Sequence, residues 1–141
     1  MNSSEWSVSL AAGYARDLES LKERHYRKNA RAAQELDALL GSLIAAIHFN
    51  PLAAHYAEPP SRLVTKPYPR GYAVDGCIFR NARFKMPALR GAARSGRLYF
   101  DVHYELRVVR VLGVYTHVEH PQDLDDPRLI DRLKQEPLFR R

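Results

Sequence analysis

One apolar stripe limits what this chain can become. Ala33, Leu36, Leu40, Leu43, Ile44 and Ile47 recur at steps of three and four, and Asn50-Pro51 follows directly. That period predicts a helix with one buried face. The helix stops at Asn50, because a residue before proline is pushed out of the helical region. A weaker stripe precedes it: Tyr14, Leu18, Leu21 and His25, with Arg16, Asp17, Glu19, Lys22 and Glu23 facing water and Asn29 as break or cap. Two amphipathic helices joined by a few polar residues form a helical hairpin, and their apolar faces need a sheet to cover.

The rest of the chain supplies that sheet. Glu5 to Leu10 alternates apolar and polar, as a short strand does. Three further strands are expected over 76–86, 97–104 and 107–116, with Tyr104-Glu105-Leu106-Arg107 as the tight turn between the last two. Val108 to Tyr115 is apolar enough for a central strand buried on both faces. Residues 51–72 carry Pro51, Pro59, Pro60, Pro67, Pro69 and Gly71, which predicts a long loop. Pro121 to Pro127 reads as a second loop, and Asp126 caps a short terminal helix over 127–136 that Pro127 opens. The expected architecture is one α+β domain over 1–141. An N-terminal strand and helical hairpin pack on an antiparallel β-sheet, and a short C-terminal helix closes the chain.

Charge narrows the function. The 141 residues carry a formal charge of +6 with a pI near 9.7, which favours an anionic partner such as nucleic acid or an acidic protein. No stretch approaches eighteen apolar residues, no basic amphipathic helix is present, and no basic-then-apolar leader opens the chain. These features predict a cytoplasmic protein with no membrane partner. Cys77 is the only cysteine, so an intramolecular disulfide is excluded, and its apolar surroundings predict a buried structural thiol.

The charge is concentrated. Arg83, Lys85, Arg90, Arg94 and Arg97 fall within fifteen residues, just before and at the opening of a predicted strand. Arg83 and Lys85, at i and i+2, share one strand face. Arginine's planar fork holds two phosphate oxygens at once, which suits a phosphodiester backbone. Arg97, beginning a strand after Gly96, is the leading candidate to stabilise a phosphorane. Arg90 and Arg94 lie in a Gly/Ala/Ser loop where tracking the backbone, or plain solvation, is the simpler reading. The strand end Tyr115-Thr116-His117-Val118-Glu119-His120 supplies groups for proton transfer. Histidine as a residue type suits proton transfer at physiological pH, which makes His117 a candidate; Tyr115 alternates onto its face, and Glu119 is either a base or a positioning group. His120 before Pro121 is a backbone contact or a loop residue. A metal site from His103, His117 and His120 follows no standard ligand spacing, so no metal or other cofactor is expected.

Element order and particular residues together resemble the RelE/ParE superfamily of bacterial toxins from toxin–antitoxin pairs, over most of the chain. Leu18-Glu19-Ser20-Leu21 looks like the family's first-helix stripe, and Ile47-His48-Phe49-Asn50-Pro51 like its helix stop. Gly96-Arg97-Leu98-Tyr99-Phe100 resembles the family's glycine–arginine–leucine strand opening after a basic strand. Leu112 to His120 resembles its last strand, whose end carries catalytic groups in the mRNA-cleaving branch. The chain is longer than typical members, with the extra length in the proline-rich insertion near 51–72 and in Pro87 to Ser95.

The resemblance implies a ribosome-dependent mRNA endonuclease that drives the 2′-hydroxyl onto phosphorus without a metal. Arg97, His117, Lys85, Glu119 and Tyr115 would be catalytic, and Arg83, Lys85, Arg90, Arg94, Arg97 and His120 would bind RNA. Its partners would be a cognate acidic antitoxin, in a toxin–antitoxin hetero-oligomer, and mRNA on the 70S ribosome. Two other readings stand beside it: a ParE-like inhibitor of DNA gyrase without nuclease activity, and a non-catalytic nucleic-acid-binding relative.

Overall fold

A computed structural model describes residues 6–56, 61–66, 68, 76–119 and 132–133. The long helix forms where the stripe predicts it. Helix α2 spans Ala30–Phe49, and the Asn29 side chain caps its start by accepting from the Ala32 N–H at 3.1 Å. The Asn50 N–H still reaches the Ala46 carbonyl at 2.9 Å, and Pro51 then ends the ladder. Ala32, Leu36, Leu40, Leu43 and Ile47 are buried, while Ala33 and Ile44 flank them half-buried. Each fully buried leucine or isoleucine stabilises the fold by about 1.5–3 kcal/mol relative to exposure. Helix α1 spans Tyr14–His25 and buries Tyr14 and Leu21. His25 ends its stripe only half-buried. Tyr26 follows, buried, with its hydroxyl donating to the Pro87 carbonyl at 2.7 Å.

The strands are β1 Ser7–Leu10, β2 His55–Tyr56, β3 Ser61–Lys66, β4 Cys77–Lys85, β5 Ser95–His103 and β6 Val108–Thr116. They form one sheet in the order β1-β6-β5-β4-β3-β2. β1 runs parallel to β6, and all other pairs are antiparallel. The apolar run at 108–116 is central as expected, with β5 on one side and β1 on the other.

The 51–72 region is not one long loop. β2 and β3 lie within it, and β3 pairs with β4 from Arg62 to Lys66. The prolines mislead because they bracket the strand instead of interrupting it. Ser61 to Lys66 is proline-free between Pro60 and Pro67, so every ladder N–H it needs is present. Leu63 points into the core, with the alternating neighbours Arg62 exposed and Val64 half-buried. Of the expected terminal helix, Arg132 and Leu133 are helical; its remainder, the 121–127 loop and His120 lie outside the described residues.

The sheet has two unlike faces. Leu63, Ala82, Phe84, Leu98, Phe100, Val102, Val109, Val111 and Val114 join the buried face of α2 in the main core. On the opposite face Phe79, Tyr99, Leu112, Tyr115 and Leu133 form a smaller cluster with Tyr68 packed beside it. A bulge helps build it. Tyr99 pairs with Gly113 but Phe100 with Val111, which leaves Leu112 as the extra residue. Among the described residues no helix is long and apolar enough to cross a membrane.

Candidate nucleic-acid interface

Residues paired across antiparallel strands project to the same face. The register therefore lines up Arg62 of β3, Arg83 of β4, Arg97 of β5 and Tyr115 of β6 in one row across the second face. One step along, Lys85 pairs with Ser95, whose carbonyl accepts from the His117 N–H at 2.9 Å. Like charges placed directly opposite destabilise a sheet, so three arginines in register do not serve the fold. They suit an anion.

That anion has a place to sit. A cavity of about 490 Å³ is lined by Arg62, Arg83, Phe84, Lys85, Gly91, Arg94 and Ser95, four cations with no carboxylate among them. Local sequence shapes it. Gly91 adopts φ +63°, a left-handed conformation that costs glycine least, and opens the 3₁₀ turn Gly91–Arg94. The Arg94 carbonyl then accepts from the Met86 N–H at 2.8 Å and closes the β4–β5 connection. At Gly96 an added Cβ would meet the Phe84 ring at 2.5 Å, so glycine is what allows β5 to pack there just before Arg97.

The polar atoms of this face are not all satisfied. The Arg83 Nε and the His117 Nδ1 are buried without a hydrogen-bond partner. So are both ends of the Asn81 amide, in a residue with 0% of its surface exposed. Leaving such a group unmet costs about 1–3 kcal/mol.

Tyr115 and Glu119 turn to a different space. They line a second cavity of about 290 Å³ with Arg16, Asp17, Arg24 and others, between α1 and β6. The Tyr115 hydroxyl accepts from the Arg132 guanidinium, which also forks onto the Asp17 carboxylate. Gly113 makes room for this, because any Cβ there would strike Arg132, Asp17 and the Tyr115 hydroxyl. Glu119 accepts from the Thr116 N–H and hydroxyl through one oxygen, and meets His25 at 2.9 Å and Arg24 at 3.3 Å through the other. Burial raises its carboxyl, but the Thr116 bonds and His25 outweigh that and hold it below its ordinary value. This tie also explains why His25 is only half-buried at the end of α1.

The expected residues thus divide. Arg83, Lys85 and Arg94 share the larger cavity, Arg97 stands in register beside Arg83, and His117 is bound to Ser95 at its rim. Arg90 is exposed in the β4–β5 connection and is not among the lining residues. His103 ends β5 while Ser95 begins it, about 27 Å of extended chain apart, and its Nδ1 accepts from the Leu106 N–H at 3.0 Å to brace the turn. His103 and His117 therefore share no metal. Among the described residues no three metal-ligating side chains cluster. Cys77 is only half-buried, where a buried thiol was expected; burial, with Asp101 nearby, still pushes the thiol up to about 11.

Two residues of this face escape sequence reading. Arg62 lies in the strand taken for loop, and the proline-free alternation of Ser61 to Lys66 is the signal that finds it. Asn81 stands two residues before Arg83, on the same side of β4, and only its burial marks it out. Compared with protein-family models, curated proteins and solved structures, the chain matches none.

Proposed function

We propose that this protein is a growth-arresting toxin of the RelE/ParE type that grips single-stranded RNA along the arginine row and cleaves it without a metal. The observation that carries this reading is the cross-strand register of Arg62, Arg83 and Arg97 beside a cavity that adds Lys85 and Arg94 and no carboxylate. In the reaction the 2′-hydroxyl gives its proton to a solvent water as its oxygen attacks phosphorus, the bond to the 5′-oxygen breaks, and a 2′,3′-cyclic phosphate and a 5′-hydroxyl result. Arg83 and Arg97 neutralise the charge that builds on the phosphorane oxygens. His117, with its unpartnered buried Nδ1, donates the proton to the leaving 5′-oxygen. Glu119, held as a carboxylate by four contacts, ties the end of β6 to α1 and so fixes His117 over Ser95. The same cations give an acidic antitoxin segment its docking site.

A second reading is favoured by the engagement of Tyr115 with Arg132 and of Glu119 with Thr116 and His25: a basic face that binds nucleic acid without cutting it, or a gyrase-directed relative. Induced expression in a bacterium, followed by mapping of mRNA 5′ ends, separates these. In-frame cuts within translated regions support the nuclease. Growth arrest with intact mRNA and a DNA-damage response moves the assignment to gyrase, and unimpeded growth sinks the toxin reading altogether.

A further inference from the structure

Resting on the RNA-cleaving reading above, we infer that Arg62 and Arg94 form a subsite for the phosphate immediately 5′ of the scissile one. The substrate is then RNA that carries a phosphate on the 5′ side of the cut. Charge counting calls for this second phosphate. A phosphodiester has one negative charge, and Arg83 and Arg97 already bring two guanidinium forks to its two free oxygens. Arg62, Lys85 and Arg94 are left over, in a cavity with no carboxylate among its lining residues. Its volume of about 490 Å³ falls within the roughly 300–1,000 Å³ of whole small-molecule sites and exceeds what one phosphate group fills. Arg62 and Arg94 are both exposed to an arriving ligand. Across the ladder Arg62 faces Arg83, a like-charge pair that costs stability until an anion lies against it.

Strand order decides which neighbouring phosphate this is. Arg62 on β3 stands two strands, about 10 Å, from Arg97 on β5, with Arg83 between them. The two arginines of the reaction centre therefore have Arg62 on one flank. On the other flank is His117, which follows β6 and is bonded to Ser95. His117 protonates the 5′-oxygen of the leaving nucleotide, so the downstream chain departs on the β6 side. The nucleotide that supplies the 2′-hydroxyl lies toward β3, and the phosphate on its 5′-carbon is the one that meets Arg62. The RNA thus crosses the strands, with its 5′ end over β3 and its 3′ end over β6. β3 belongs to the 51–72 segment, so that segment extends the site as well as the sheet.

The probes are uridine 2′,3′-cyclic phosphate, which is the upstream product end, and the same compound carrying a 5′-phosphate. Each is titrated into the full chain at fixed low salt and followed by NMR, with a uridine octamer titrated alongside. In the parent the 5′-phosphate should tighten binding about tenfold or more, the contribution of a hydrogen bond to a charged group. Arg62→Ala should erase most of that gain, and Arg94→Ala should reduce it. Lys28→Ala removes an equal charge from the exposed turn between α1 and α2, and should leave the gain in place. A parent gain of about fivefold or less is all that an exposed ion pair gives, and overturns the subsite while sparing the RNA-binding reading. A gain that survives in both Arg62→Ala and Arg94→Ala overturns it too, as does one that Lys28→Ala removes equally well. If the octamer binds and neither small compound does, the subsite alone falls. If the octamer also fails to bind, the RNA-binding reading falls with it.

Discussion

Two neighbours in β4 face opposite ways and fare differently. Arg80, on the helix-covered face, is buried but bonded: its Nε donates to the Thr65 hydroxyl at 3.2 Å and its Nη1 to the Pro51 carbonyl at 2.6 Å. Asn81, on the other face, is buried and unmet. The same strand that finds partners for a guanidinium leaves a smaller and more easily satisfied amide without one. The second face is not uniformly careless either. At its far end Arg110 forks onto Asp101 at 3.0 and 2.6 Å, and Tyr68 donates to the same carboxylate at 2.9 Å. Satisfied polar groups hold the fold together, whereas the unmet Asn81 amide and Arg83 Nε lie two residues apart on the face that carries the arginine row. Unmet polar groups in that position are what a ligand site looks like before its ligand arrives.

The largest effect should come from breaking the satisfied end. Asp101→Ala leaves Arg110 as a buried charge without its carboxylate, which costs about 3–5 kcal/mol. Arg83→Ala, at the unmet end, removes a buried unmet donor and one of three like charges in register, so it should leave stability unchanged or raise it by about 1 kcal/mol. Urea denaturation of both variants measures the contrast. If Arg83→Ala proves as costly as Asp101→Ala, the division of the face into structural and ligand-binding ends is wrong.

Next in size is a loss of activity without a loss of fold. Arg97→Ala should slow RNA cleavage about 100- to 1000-fold, the loss typical of removing one donor to a developing oxyanion, while the melting temperature holds. The readout is cleavage of translated mRNA after induction. Undiminished cutting by a soluble variant removes Arg97 from the chemistry.

How much of this contrast is legible in the sequence depends on the range of the contacts. The helix-covered face is visible because it is periodic: the Leu36, Leu40, Leu43 and Ile47 stripe and the apolar run of β6 each declare a buried side. Arg83 and Lys85 are visible as a pair for the same local reason. The meeting of Arg62, Arg83 and Arg97 depends on strand register, and register is set by three strands at once. Tyr115 and Glu119 are the sharper lesson. Their strand position suggests a shared site with His117, but Tyr115 is engaged by Arg132 on the C-terminal segment and Glu119 by His25, 94 residues away in the chain. No periodicity encodes such partners. β3 was hidden by composition, since prolines flanking a strand look much like prolines in a loop.

A smaller effect, of opposite sign to the first, sharpens the comparison further. Asn81→Leu keeps the branched outline of the side chain and removes two unmet polar atoms, so it should raise stability by about 1–2 kcal/mol. The neighbouring Arg80→Leu should lower it, because Thr65 and the Pro51 carbonyl lose their partner. Chemical denaturation reads both. A destabilised Asn81→Leu protein would mean the amide already has a structural task.

The smallest effect concerns the tie between β6 and α1. Glu119 has its carboxyl held below the ordinary value because the Thr116 hydroxyl and N–H, with His25, outweigh the burial that raises it. The unfolded chain, with an ordinary glutamate near 4.3, therefore takes up its proton first as pH falls. Stability from this group is fully present above that pH and is lost as pH drops through the lower folded value. Glu119→Gln cannot carry the charge at any pH, so it should cost on the order of 1 kcal/mol near neutrality and progressively less in acid. Comparing urea midpoints of parent and variant from pH 6 down to pH 3 cancels the titration of the other carboxylates, since both proteins share them. The gap between the two curves should close as pH falls. A gap that stays constant would mean Glu119 acts by shape and not by charge. His117, which follows Thr116 directly, would then be positioned by Ser95 alone.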